Sequence, residues 1–335
     1  MEKSKILPRD RFFDNYRAIL IFMVVICHLI SPLARFFSIK FIYRYCYIFH
    51  MPAMLFVSGY FFKSSVKDGK LVKDKIFNFT LLYVVFQIIF TFINEGKFSL
   101  YQSQSGLWYI QVLIIYSLIV PILDRLNPKF CIPLTFALGL VIGEDNTAGH
   151  VASLSRAVVF LPFFMVGYYL SSDWVENFKE KKNILIGIIA TAATGALYYF
   201  AFDITPWMLN MSSGKASYAS MRMSFLEGVA YRSIWYVAAF LLILVFALVS
   251  PKRNTIFSGV GKRTLSVFLL HLPLCVLLRK IEFYQYFKNM NEVLVVCAFI
   301  AITAAVCFIA GSKWIYWPFE KLMGIKFKGI IKEKN

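Results

Sequence analysis

An all-α, polytopic transmembrane bundle of about ten spans, with both termini in the cytoplasm, is the fold class this sequence predicts. Three observations predict it. Apolar residues make up 59% of the 335 positions, mean hydropathy is +0.65, and only 16% of residues are charged, against about 25% in a typical soluble domain. The apolar residues fall in blocks of mostly 16 to 22, the length that crosses about 30 Å of hydrocarbon, and not in the short stripes of amphipathic soluble helices. The basic residues gather at alternate ends of those blocks, as cytoplasmic loops require.

The spans are expected at 16–34, 42–62, 76–94, 107–123, 130–143, 156–171, 184–202, 233–250, 264–279 and 293–312. The first is too long for the apolar core of a signal peptide and precedes no small-residue cleavage site, so it reads as a span. The fifth is short and carries Pro133, and losing it would reverse the orientation of everything after it. Charge supports keeping it. With ten spans and an inner N-terminus, the inner segments hold 25 of the 36 Lys and Arg residues, and the bias holds on both sides of the fifth span. The chain is expected to form a single membrane domain over 1–335. A long outer loop is expected at 203–232 and a short basic cytoplasmic tail at 319–335, lying on the anionic inner leaflet.

The same evidence excludes other classes. A net charge of +18 would suit nucleic acid, but its location at span ends gives it to the membrane, so no nucleic-acid partner is expected. Cys27, Cys46, Cys131, Cys275, Cys297 and Cys307 form no CxxC pair and read as small apolar packing residues. There is no metal-ligand spacing, hence no metal, and no Gly-rich phosphate loop.

Ionisable groups inside spans are costly and so mark candidate sites. His28 lies about eleven residues into the outward first span, roughly 16 Å from Arg17 at about 1.5 Å per residue. His50 lies about eight residues into the inward second span, roughly 12 Å from the outer surface. Two histidines at matching depth on adjacent helices are expected to converge on one cavity, where a group titrating near neutrality suits proton abstraction from a hydroxyl. The bland alternative is a pair of neutral histidines bonded between helices. His271, two residues before Pro273, is expected to be a structural donor to a carbonyl freed by the proline, ranking below the other two. His150 falls in an outer loop. Arg17, with Asp14 one turn earlier, marks the inner mouth, where a snorkelling arginine is common.

Several of these residues resemble a known family. Asp14-Asn15-Tyr16-Arg17, then ten residues and His28, is similar to the first-helix signature of the acyltransferase family 3 membrane proteins. The stretch from Phe49-His50-Met51-Pro52 to Ser58-Gly59-Tyr60 resembles their second helix, in particular that of the fucose-4-O-acetylase-like branch of polysaccharide O-acetyltransferases. Leu107-Trp108-Tyr109, Leu161-Pro162-Phe163-Phe164 and Gly261-Lys262-Arg263, with His271 and Pro273, resemble further segments in family order. Ala18 departs from a common glycine. Lys70 and Lys73 stand for a basic pair at the third helix, which weakens the case for arginine clamping of phosphate there. No extracytoplasmic esterase-like domain accompanies these segments, so a different acceptor arrangement is expected.

The resemblance implies a bacterial cytoplasmic (inner) membrane enzyme that moves an acyl group, usually acetyl, from cytoplasmic acetyl-CoA to a hydroxyl of a cell-surface or lipid-linked glycan. His28 and His50 would then be catalytic, and Arg17, Lys70 and Lys73 would hold the donor. Trp108, Glu227 and Arg232 are expected to meet the acceptor: the aromatic ring offers a face to sugars, or alternatively belongs to the interfacial belt. Rival readings are a transporter or exporter of a small anion or lipid-linked sugar, for which no inverted repeat is visible, and a non-catalytic scaffold.

Overall fold

The computed structural model describes residues 10–66, 73–149 and 151–326, and among them the regular structure is helical with no strand. The expected positions Lys70 and His150, and the tail beyond 326, lie outside the described residues. A helix occupies each of the ten expected spans. In chain order the helices are α1 (Arg11–Ile30), α2 (Phe37–Tyr47), α3 (His50–Phe62), α4 (Lys73–Asn94), α5 (Trp108–Leu123), α6 (Pro128–Val141), α7 (Leu154–Val159), α8 (Leu161–Tyr169), α9 (Ser172–Lys181), α10 (Ile184–Ala201), α11 (Trp207–Ser213), α12 (Phe225–Val249), α13 (Ser258–Lys262), α14 (Thr264–Lys280), α15 (Glu292–Ala310) and α16 (Lys313–Met323). Six helical segments are long and apolar enough to cross a membrane, and α7–α8 with α9 make a seventh only as a pair bent by 86°. The helices α5, α6 and α14, of 16, 14 and 17 residues, fill the other three expected spans as shorter pieces.

The polar ends sort into two groups. At the end that holds the start of α1, Asn15 donates to Pro251 O and Arg253 O, Lys179 pairs with Asp10, and Asn78 donates to Met323 O. At the other end Lys280 pairs with Glu95, Ser38 N donates to Glu292, and Ser155 donates to Gly214 O. This is the grouping that ten alternating segments require, and the charge bias assigns the first end to the cytoplasm.

Three differences from the sequence reading have physical causes. α1 begins five residues before the apolar block, because Asp10 caps it by accepting from Phe12 N, and the polar Asp14 and Asn15 are buried in the bundle instead of trailing into water. The second span is broken. Pro52 has no N–H for the carbonyl four residues earlier, the helix interrupts at Ile48–Phe49, and the freed Ile48 O accepts from Trp235 Nε1 at 3.0 Å. The stretch 203–232 is not one long loop: it contains α11 and the first eight residues of α12, which a Ser224–Glu227 capping box starts at Phe225. A further helix, α16, occupies much of the C-terminal segment. Its Trp314 and Trp317 are exposed and Lys321 stands over Trp317, the composition of a helix lying in the membrane interface.

Helix packing rests on glycine where backbones touch. The most extensive contact is α3 on α8. A Cβ at Gly59 would overlap Phe164 O, and one at Gly167 would overlap Phe56 O, so the two helices meet reciprocally through small residues, as transmembrane helices commonly do. Gly59→Ala and Gly167→Ala are each expected to cost about 3 kcal/mol or more, the upper end of overpacking, because neither obstacle is a side chain that can swing away. Gly195 has nothing within 4 Å of its Cβ position, and Gly195→Ala should be neutral or slightly stabilising through helix propensity. Thermal unfolding in detergent, followed by size-exclusion chromatography, checks all three. Equal Tm values for Gly59→Ala and Gly195→Ala would contradict this packing.

Candidate active site

His28 follows Arg17 by eleven positions on α1, about three full turns, so the two side chains lie on one face of the helix at different depths. His28 reaches a small cavity of about 40 Å³ between α1, α3, α5, α7, α11 and α14. His50 lines the same cavity, together with Trp108, Arg156, Ser212 and Phe268. The two histidines expected to converge therefore do meet across one space, and His50 is put there by the break before Pro52, as the first residue of α3.

The hydrogen bonds assign the tautomers of two rings. His50 Nδ1 lies 2.7 Å from Cys46 O. A carbonyl only accepts, so Nδ1 carries the proton and Nε2 keeps its lone pair. His271 Nδ1 likewise donates to Val267 O at 3.0 Å, and its buried Nε2 makes no hydrogen bond within the protein. The His28 ring stands next to it, centroid to centroid 5.2 Å. The sequence reading ranked His271 as a donor to a carbonyl freed by Pro273. It does donate to a carbonyl, that of Val267, and its ring also stands beside the His28 ring, which periodicity along one helix does not reveal.

Below this level a polar file leads toward the inner end. Phe268 lies against Tyr109, centroids 4.9 Å apart, and the Tyr109 hydroxyl meets Ser58 Oγ at 2.8 Å. The Arg17 guanidinium acts electrostatically on Tyr109. It is held by Asp14 at 2.6 Å, by Phe13 O at 3.3 Å, and over the Phe61 ring at 4.9 Å. Asp14 is fully buried, so its charge must be compensated, and Arg17 does this.

The other expected residues are distributed differently. Trp108 is at the cavity, stacked on Phe160 and covered by the Arg156 guanidinium at 4.8 Å. Lys73 is exposed at the start of α4, at the inner end and away from the cavity. Glu227 is taken up in the α12 capping box, accepting from Ser224 N and Oγ. Arg232 is fully buried. It donates to Gly139 O and Ala216 O and stands over Tyr218 at 4.7 Å, which ties α6, the segment after α11 and α12 together. Neither Glu227 nor Arg232 lines the histidine cavity. Arg156 went unused in the sequence reading, although it opens an expected span and the rule that singled out the histidines applies to it equally. All six cysteines are free, and only Cys297 is exposed.

A family model described as an acyltransferase domain matches residues 10–312. No curated protein and no solved structure matches the chain. The matched region contains both halves of the histidine cavity, Arg17 and the whole file between them. This multi-pass helical chain, with its paired membrane histidines, belongs to acyltransferase family 3.

Proposed function

We propose that this membrane acyltransferase takes a short acyl group, acetyl by preference, from cytoplasmic acyl-CoA and transfers it to a hydroxyl of a cell-surface or lipid-linked glycan, in the cytoplasmic membrane of a bacterium. The observation that carries the reading is the shared cavity of His28 and His50, with Tyr109, Ser58 and Arg17 on its inner side and a polar cavity at the outer end. Arg17 is the cation that meets the phosphate-bearing donor, since a guanidinium offers planar paired contacts to anionic oxygens.

The chemistry follows from the rings. The acceptor hydroxyl lies between His28 and His50. His28 removes its proton as the oxygen attacks the thioester carbonyl. The new C–O bond forms, the C–S bond breaks, and the imidazolium returns the proton to the departing sulfur, leaving an ester and free CoA thiol. His50 Nε2, a lone-pair acceptor, takes a hydrogen bond from a second, non-reacting hydroxyl of the acceptor and so orients it. The His271 ring stands against the His28 ring, centroids 5.2 Å apart, and so limits how the His28 ring can turn in the cavity, which makes His271 a positioning residue.

Cavity size supports the choice of acetyl. A water needs about 10–15 Å³ of such space, so about 40 Å³ admits a carbonyl and a methyl but not a longer chain. Hexanoyl-CoA should show kcat/KM at least about tenfold below acetyl-CoA, as overpacking by several methylenes would cost. Equal rates along a chain-length series would remove the acetyl preference.

Transfer of radiolabel from acetyl-CoA to glycan by the purified full-length chain in nanodiscs tests the reaction itself. Label that appears on the glycan supports it, while solute moved across proteoliposomes without modification would indicate an exporter. His28→Ala should lower transfer by about 10²- to 10⁴-fold, the usual worth of a general base, with membrane insertion intact. His271→Ala should lower kcat while the donor KM stays within about twofold, the signature of an interaction made in the transition state. A donor KM that rises with kcat unchanged would assign His271 to packing. Arg17→Ala should instead raise the donor KM, with lysine only a partial substitute. An unchanged donor KM would remove Arg17 from the donor site.

A further inference from the structure

Next to the histidine cavity, at the outer end, a second cavity of about 220 Å³ opens, and Arg156 lines both. Its other walls come from Tyr101 and Ser103 before α5, Gly149 and Ser153 before α7, and Lys215 after α11. Outer segments are poor in basic residues, so two cations on one outer cavity do not follow from the charge bias that orients the chain. Among the described residues no acidic one lines this space. Among the described residues no carboxylate pairs with Arg156 or Lys215. Arg156 is instead held in place by Ser213 O, which accepts from Nε at 3.1 Å, and by the Trp108 ring.

The cavity is also preformed. Gln87, fully buried on α4, donates to Ser99 O and Gln102 O and accepts from Gln104 N. Gln111 on α5 accepts from Ser153 Oγ at 2.8 Å, and Ser153 Oγ also meets Ser103 Oγ at 3.1 Å. Ala152 and Ser153 are consecutive non-glycine residues with φ of 48° and 53°, a sparsely populated conformation that persists only where surroundings hold it. Gly149 permits the close approach of the Lys215 backbone, since a Cβ there would meet Lys215 O at 2.6 Å. Two cations thus line one preformed cavity beside the place where the acceptor hydroxyl is activated, Arg156 held by the protein and Lys215 reaching in from the exposed side.

We infer that the acceptor is an anionic saccharide, one whose carboxylate or phosphodiester seats between Arg156 and Lys215 while a nearby hydroxyl enters the histidine cavity. The inference rests on the glycan-acceptor reading above and specifies its substrate class. A uronic-acid sugar and a phosphate-linked lipid carrier would both supply the negative charge, so the test separates them.

The full-length chain in nanodiscs is given radiolabelled acetyl-CoA and one of three acceptors: a neutral oligoglucoside, an oligoglucuronide of equal length, or the neutral oligosaccharide on a prenyl phosphate. One of the two anionic acceptors is expected to exceed the neutral one at least tenfold in kcat/KM, with the ratio shrinking as salt is raised. The arm that gains identifies the source of the charge. Lys215 is exposed, so Lys215→Glu should fold, and it is expected to abolish the preference, whereas Lys215→Arg keeps it. Equal use of neutral and anionic acceptors, or a preference untouched by Lys215→Glu, would overturn the inference and leave the glycan reading standing. Donor hydrolysis with label on none of the saccharides would reject the glycan acceptor, and the inference with it.

Discussion

In hydrocarbon no water satisfies a polar group, so every break in a helix must be repaired by the protein itself. This constraint organises the bundle. Pro52 interrupts the second span, and Trp235 repairs the exposed carbonyl of Ile48. The short α7 ends before Pro162, and the carbonyls around that junction are taken by tyrosines from other helices: Tyr116 donates to Ala157 O and Tyr236 to Val159 O. Each repair binds an aromatic side chain across the bundle, so the breaks also serve as points of attachment. Both breaks lie at the cavity: His50 stands at the first and Arg156 lies in α7, facing His28 of the unbroken α1 and Trp108 of α5.

The glycine contact between α3 and α8 then fixes the relation of those two broken helices. Backbones that touch through Gly59 and Gly167 cannot slide without a carbonyl meeting a Cα. That contact lies in the middle and inner part of α3, while His50 and Met51 at its outer start line the cavity. At the inner end Asn15 performs a comparable task with hydrogen bonds. Its amide donates to Pro251 O and Arg253 O, and its carbonyl accepts from Thr255 and Ser258. The α12–α13 connection is thereby clamped to α1, and with it the start of α14, which carries His271 to His28.

Arg17, Ser58 and Tyr109 lie on the inner side of the histidines, the cavity at the histidines is small, and the outer vestibule is wider and polar. Arg156 belongs to both outer spaces, so a group held in the vestibule is within reach of the reacting centre.

Composition and hydrophobic blocks alone determined that the chain is an all-α membrane bundle, because burying apolar segments of that length in any other way is costly. Ionisable residues within those blocks were likewise legible, and depth along two helices sufficed to bring His28 and His50 together, since both coordinates follow from rise per residue. Rotation about each helix axis and the identity of third-helix neighbours do not follow from it. His271 meets His28 only because α13 packs against α1 through Gly261, whose Cβ would collide with the Asp14 carbonyl. Apolar blocks also misplace helix ends, which are set by caps: α1 starts at the Asp10 cap and α12 at the Ser224–Glu227 box, inside stretches that look like loop. For the same reason Arg232, which reads as a solvent-facing loop cation, is a buried clamp over Tyr218. A charge on a one-dimensional string gives no sign of whether carbonyls will be waiting for it, and only the packed backbone supplies them.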